Sequence, residues 1–190
     1  MRESTSCRGW AILATAFMAP ERASAVGGRL ALRFKKSADG GVVVSFVRAD
    51  GTSTTGRLGQ GGFGAVHDLA HYAVETTLGL RRAFLGLIAE GRDLADFEVK
   101  HANRDWPDEA LLAECIVGQL TNGVFSGVEP AVEEFNWLVR SALAGARPEA
   151  EFAAIDEAAY RAMRVRLAEL LARWQALPTG ETLALEFAAN

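Results

Sequence analysis

From residue 29 onward the apolar positions first recur at every second residue and later at every third or fourth. That change of period divides the chain into a sheet-forming and a helix-forming part. Leu30-Ala31-Leu32-Arg33-Phe34-Lys35 alternates apolar and polar, Asp39-Gly40-Gly41 interrupts it, and Val42-Val43-Val44-Ser45-Phe46-Val47 follows, which predicts a hairpin. A second turn at Ala49-Asp50-Gly51-Thr52 leads into a threonine-rich run from Thr52 to Leu58, so three antiparallel strands should form a meander. From Ala65 the period becomes helical, and helices are predicted over 65–78, 80–90, 108–121, 128–144 and 152–176.

The longest of these helices gathers Phe152, Ile155, Met163, Leu167, Leu170, Leu171 and Trp174 on one side, with Glu157/Arg161 and Glu169/Arg173 as i,i+4 pairs on the other. Leu177-Pro178-Thr179-Gly180 ends it, and Thr182-Leu183-Ala184-Leu185-Glu186-Phe187 alternates like a strand. That strand should return to the N-terminal sheet. The fold class is therefore α+β: a small antiparallel meander completed by a C-terminal strand and covered by about five helices, in a single domain over 26–190.

Composition agrees with an ordinary globular domain, at 49% hydrophobic and 23% charged residues in a chain of 190. A formal charge of −4 with dispersed arginines supplies no basic field, which argues against nucleic acid and anionic membrane surfaces as partners. No segment within 26–190 reaches the ~18 apolar residues of a membrane span. Cys7 and Cys115 are too few for a disulfide framework and lack zinc-knuckle spacing, so Cys115 is read as a small buried hydrophobe.

Residues 1–25 are read separately, as an N-terminal extension of a cytoplasmic protein. Export through a signal peptide is the alternative: Arg2 and Arg8 precede an apolar run from Trp10 to Ala19, and Ala23-Ser24-Ala25 has the A-x-A form of a cleavage site. Against export, the run is short, Glu21 and Arg22 put charge where the cleavage region is usually uncharged, and Met18 offers another start.

The candidate chemistry sits in the first helix, in His67-Asp68-Leu69-Ala70-His71-Tyr72-Ala73-Val74-Glu75. Histidines at i and i+4 are about 6 Å apart along a helix axis, so both imidazoles can reach one ion at ~2.1 Å each. The pattern is H-D-x-x-H, a variant of the zinc motif H-E-x-x-H in which Asp68 offers a shorter carboxylate as general base. Glu75 rises about 12 Å from His67, too far to join the same ion on a straight helix, and is read instead as a partner orienting His71. The third ligand must come from elsewhere. Glu114, polar inside the apolar run Leu111-Leu112-Ala113-Glu114-Cys115-Ile116-Val117, is the first candidate, because burying a carboxylate unpaired is costly. His101 is the second, with Glu133 and Glu134 behind it; Tyr72 and Arg81 are candidate proton donor and anion contact.

At this helix the chain resembles an uncharacterised bacterial protein family whose helix reads H-D-L-x-H-Y-x-V-E followed by x-x-L-G, here His67 to Glu75 with Leu78-Gly79 after it. The likeness continues through Ala83-Phe84-Leu85-Gly86-Leu87-Ile88 and the ending Arg173 to Leu183, and spans roughly residues 29–190. It implies a shared fold and no activity, ligand or metal.

Gly59-Gln60-Gly61-Gly62-Phe63-Gly64 fits G-x-G-x-x-G, yet the strand before it belongs to a meander and a second helix follows, so the βαβ setting of a dinucleotide site is missing. Glycines permitting a tight strand-to-helix turn explain it, with a small anionic ligand at the helix start as an added expectation. No G-x-S-x-G setting surrounds a serine, and Trp106, Trp137 and Trp174 are assigned to packing. Two functional readings stay open. One is a metal-binding protein, a candidate metal-dependent hydrolase, holding a divalent zinc, manganese or iron. The other is a non-catalytic interaction or scaffold protein, able to form a homo-oligomer through an amphipathic helix, whose histidines are structural and whose Asp68 and Glu75 are merely solvated.

Overall fold

The computed structural model describes residues 28–58, 63–99 and 105–189. Strands β1 (Arg29–Lys36), β2 (Val42–Val47) and β3 (Ser53–Leu58) form the meander, and β4 (Thr182–Ala188) pairs antiparallel with β1, giving the order β3-β2-β1-β4. Register follows the alternation. Leu32 stands opposite Phe46 on one side and Leu185 on the other, so every second residue of the sheet points to the same face. That face, with Leu30, Phe34, Val44, Leu183 and Phe187 among its members, is fully or almost fully buried. Each such side chain contributes roughly 1.5–3 kcal/mol of burial, which is why the opposite face can stay polar.

The helices are α1 (Phe63–Leu78), α2 (Phe84–Ala89), the single turn α3 (Leu94–Phe97), α4 (Asp108–Ser126), α5 (Val132–Ala146) and α6 (Glu157–Ala176). α1 packs against α2, α4 and α6. Its residues are consequently buried without a break from Asp68 to Glu75, and any polar group in that stretch needs a partner inside the protein.

Several boundaries differ from the periodicity for local reasons. The predicted helix over 80–90 starts only at Phe84, because Gly79 adopts a left-handed φ of 69° and ends α1. The helix predicted from 152 starts at Glu157, where the Asp156 carboxylate accepts from the Ala159 amide at 2.7 Å. Phe152 and Ile155 thus precede the helix, and the Ile155 backbone is held by both ends of the Asn136 amide at 2.8 Å. The apolar side of α6 is covered by the domain itself: Met163, Leu167, Leu170 and Trp174 are all buried. The packing role expected of Trp137 is corrected. Its side chain is 64% exposed on α5, where the buried positions are Phe135, Val139 and Leu143. Cys115, expected to be buried, is half-exposed.

A buried arginine ties the short helices to the sheet. Arg48, just after β2, donates through Nε to the Ile88 carbonyl at 2.7 Å, through Nη2 to the Arg92 carbonyl at 2.5 Å and to Asp93 Oδ1 at 2.9 Å, and through Nη1 to Thr52 at 3.2 Å. The end of α2 and the start of α3 are thereby fixed to the β2–β3 turn. Among the described residues, no helix is long and apolar enough to cross a membrane.

Candidate metal centre

His67 and His71 lie one turn apart on the side of α1 that faces α4, with ring centroids 4.8 Å apart, and α4 delivers Glu114 between them. His67 Nε2 lies 3.7 Å from one Glu114 carboxylate oxygen and His71 Nε2 lies 3.3 Å from the other. Ligand atoms of all three residues fall within 4.8 Å of one another. Two ligands on a tetrahedral ion with bonds of about 2.1 Å are separated by about 3.4 Å, so the His71–Glu114 edge is already at coordination distance and small side-chain rotations would close the rest.

His71 is almost wholly enclosed, at 1% exposure. Its Nδ1 is 3.1 Å from Glu75 Oε1, and Glu75, itself fully buried, accepts from the Leu85 amide at 3.0 Å with the Gly86 amide also directed at it. The start of α2 therefore holds Glu75, and Glu75 holds the ring. With Nδ1 facing Glu75, Nε2 is turned toward Glu114 at a short distance but outside hydrogen-bond geometry. A buried nitrogen facing a carboxylate oxygen in this way is an arrangement that could hold a cation, a proton or a metal ion, between the two groups.

In the metal-free site a proton takes that place. Burial alone would depress the His71 imidazole, but Glu114 and Glu75 on either side outweigh it and hold its pKa up at about 10. Burial pushes Glu75 up, against the pull of His71 and the Leu85 amide. At Glu114 burial also pushes upward, yet His71 and His67 prevail and the carboxyl sits below its ordinary value. Without metal, the site keeps a proton on His71 between two carboxylates.

Asp68 is buried and meets His67 on its Nδ1 side, at 3.7 Å, whereas Glu114 lies on the Nε2 side. Phe63 stacks on His67 with centroids 6.0 Å apart. Two clefts open from the ligand group. One, of about 520 Å³, runs past Phe84, Phe97, Trp106 and Leu111; the other, of about 380 Å³, runs past Gly118, Gln119 and Asn122. His67 and Glu114 line both.

Other expected site residues stand elsewhere. Tyr72, one residue past His71, is rotated by about 100° around the helix and donates its hydroxyl to the Glu186 carbonyl at 3.0 Å, with Arg166 beside it, so it does not serve the histidines as proton donor. The anion-contact role for Arg81 is likewise corrected, since its guanidinium donates to the Ala188 carbonyl and lies over Phe187. Glu133 and Glu134 are exposed in the first turn of α5, outside the ligand group. Glu75 and Asp68, expected to be solvated under the structural reading of the histidines, are both buried. His101, residues 1–25 and the glycines at 59–62, with the anionic ligand expected there, lie outside the described residues.

The pattern missed what holds Glu75. A Cβ on Gly86 would lie 1.7 Å from the Arg81 carbonyl oxygen, so only glycine lets the first turn of α2 bring its amides to the carboxylate. A glycine inside the apolar run Ala83–Ile88 was the available signal. No family model, no curated protein and no solved structure matches this chain.

Proposed function

We propose that His67, His71 and Glu114 bind one divalent metal ion, zinc, manganese or iron, and that the protein is a metal-binding protein acting as a metal-dependent hydrolase. The observation that carries this reading is the convergence of ligand atoms of His67, His71 and Glu114 within 4.8 Å of one another, with the buried His71 Nε2 facing a Glu114 oxygen at 3.3 Å outside hydrogen-bond geometry. Two histidines and one carboxylate leave coordination positions open, which suits a catalytic more than a closed structural site. The ion would supply Lewis acidity and an activated water. Glu75 fixes the tautomer of His71 so that Nε2 is presented, and Asp68, on the Nδ1 side of His67, acts as an orienting group in preference to the general base its spacing suggested. The scaffold reading draws less support, because the apolar side of α6 is occupied within the domain.

Elemental analysis by plasma mass spectrometry, on tag-free protein purified without chelator, tests this. Near-stoichiometric metal in the wild type is expected, and a His67→Ala/His71→Ala variant that stays folded should lose it. Background metal in both, after incubation with zinc, manganese and iron, would refute the proposal.

A further inference from the structure

The larger cleft has a composition that narrows what could approach the ligand group. From His71 a run of rings leads outward: His71 to Phe84 at 4.7 Å between centroids, Phe84 to Phe97 at 4.9 Å and Phe97 to Trp106 at 5.3 Å. Leu111 completes this apolar wall. Among the described residues lining the cleft, Glu114 is the only charged side chain apart from the two histidines, and no lysine or arginine is present. Among the described lining residues a phosphate or carboxylate on the ligand meets no basic side chain and faces Glu114. The volume, about 520 Å³, falls in the range of small-molecule sites, in which apolar walls enclose a few convergent polar groups. The polar groups here converge at one end only, where His67, His71 and Glu114 meet.

We propose that this cleft takes the uncharged aromatic portion of a small molecule whose polar, metal-directed group reaches His67, His71 and Glu114. The inference rests on the metal centre proposed above and adds the class of ligand. The edge-to-face packing of the Phe84–Phe97–Trp106 rings continues naturally onto an inserted ring, because the electron-poor edge of one ring favours the face of the next. The second cleft, which shares His67 and Glu114 but carries Gln119 and Asn122, leaves the ligand group a polar approach from its other side.

Hydroxamic acids chelate zinc through the same group whatever they carry beyond it, so they separate the two claims. Binding of acetohydroxamic acid, benzohydroxamic acid and 4-carboxybenzohydroxamic acid to the zinc-loaded full chain should be compared by titration calorimetry, with bound zinc measured in the same samples. Burial of the phenyl ring should favour benzohydroxamate over acetohydroxamate by at least about ten-fold, and the added carboxylate should remove most of that gain. Trp106→Ala and Phe97→Ala should each shrink the preference while leaving bound zinc and acetohydroxamate affinity unchanged. Equal binding of the first two compounds, or a preference that both variants retain, would overturn the cleft assignment and leave the metal centre standing. Zinc retained with no hydroxamate bound would overturn it as well. Failure to load zinc would remove the metal reading and this inference with it.

Discussion

Arg48 and His71 are both polar side chains enclosed by the same domain, at 7% and 1% exposure, and they differ in how completely they are answered. All three guanidinium nitrogens of Arg48 have acceptors, on Ile88, Arg92, Asp93 and Thr52. His71 is answered at Nδ1 by Glu75, while Nε2 faces a carboxylate oxygen 3.3 Å away outside hydrogen-bond geometry. A buried polar group with every partner in place is a structural tie; one that is held rigidly on one side and only loosely paired on the other leaves room for an exchangeable cation. The two are also connected. Arg48 anchors the C-terminal end of α2, and the N-terminal end of the same helix holds Glu75 and through it the ring of His71.

The contrast can be broken from the Arg48 side first. Arg48→Met should destabilise the protein by about 3 kcal/mol in urea unfolding, because buried carbonyls lose their donor. Metal affinity measured above that loss should fall little. Gly86→Ala should cost about 2 kcal/mol by the same measurement, since the added methyl meets the Arg81 backbone and forces α2 to shift. Unlike the arginine variant, it should also weaken metal binding, by moving the Leu85 amide away from Glu75. Glu75→Gln leaves the shape of the site intact and should lower metal affinity by about ten-fold in a competitive chelator titration, with the fold unchanged by circular dichroism.

The smallest effect is a pH dependence. The folded pKa of His71, about 10, is raised above its unfolded value of 6.5, so the metal-free fold holds a proton that the unfolded chain releases. The associated stability is complete below pH 6.5 and is lost as pH rises through about 10. Between pH 7 and 8 the metal-free protein should lose at most about 1.4 kcal/mol. Saturating zinc, which displaces that proton, should flatten the dependence or reverse it. A metal-free protein equally stable across this range would contradict a His71 that holds its proton between Glu75 and Glu114.

The sheet was readable because one face is buried and the other is wet, so alternation in β1, β2 and β4 maps directly onto burial. His67 and His71 were readable because i,i+4 spacing is a property of the helix itself, and Glu114 because a carboxylate inside an apolar run needs a reason. Tyr72, Arg81 and Trp137 were misjudged for one shared cause: which neighbour a side chain meets is decided by helices and strands far away in sequence. The Arg48 tie and the amides that hold Glu75 were invisible for the same reason. Both depend on where residues 84–93 fold back against α1 and the meander, and no periodicity encodes that.

The metal centre turns on one atom, His71 Nε2. Crystals of the zinc-soaked protein, with data collected on both sides of the zinc absorption edge, would locate the ion directly. A metal at this site gives an anomalous peak about 2.1 Å from His71 Nε2 and within bonding distance of His67 and a Glu114 oxygen. An empty position there, with His71 Nε2 hydrogen-bonded to Glu114, would show a satisfied structural histidine and contradict it.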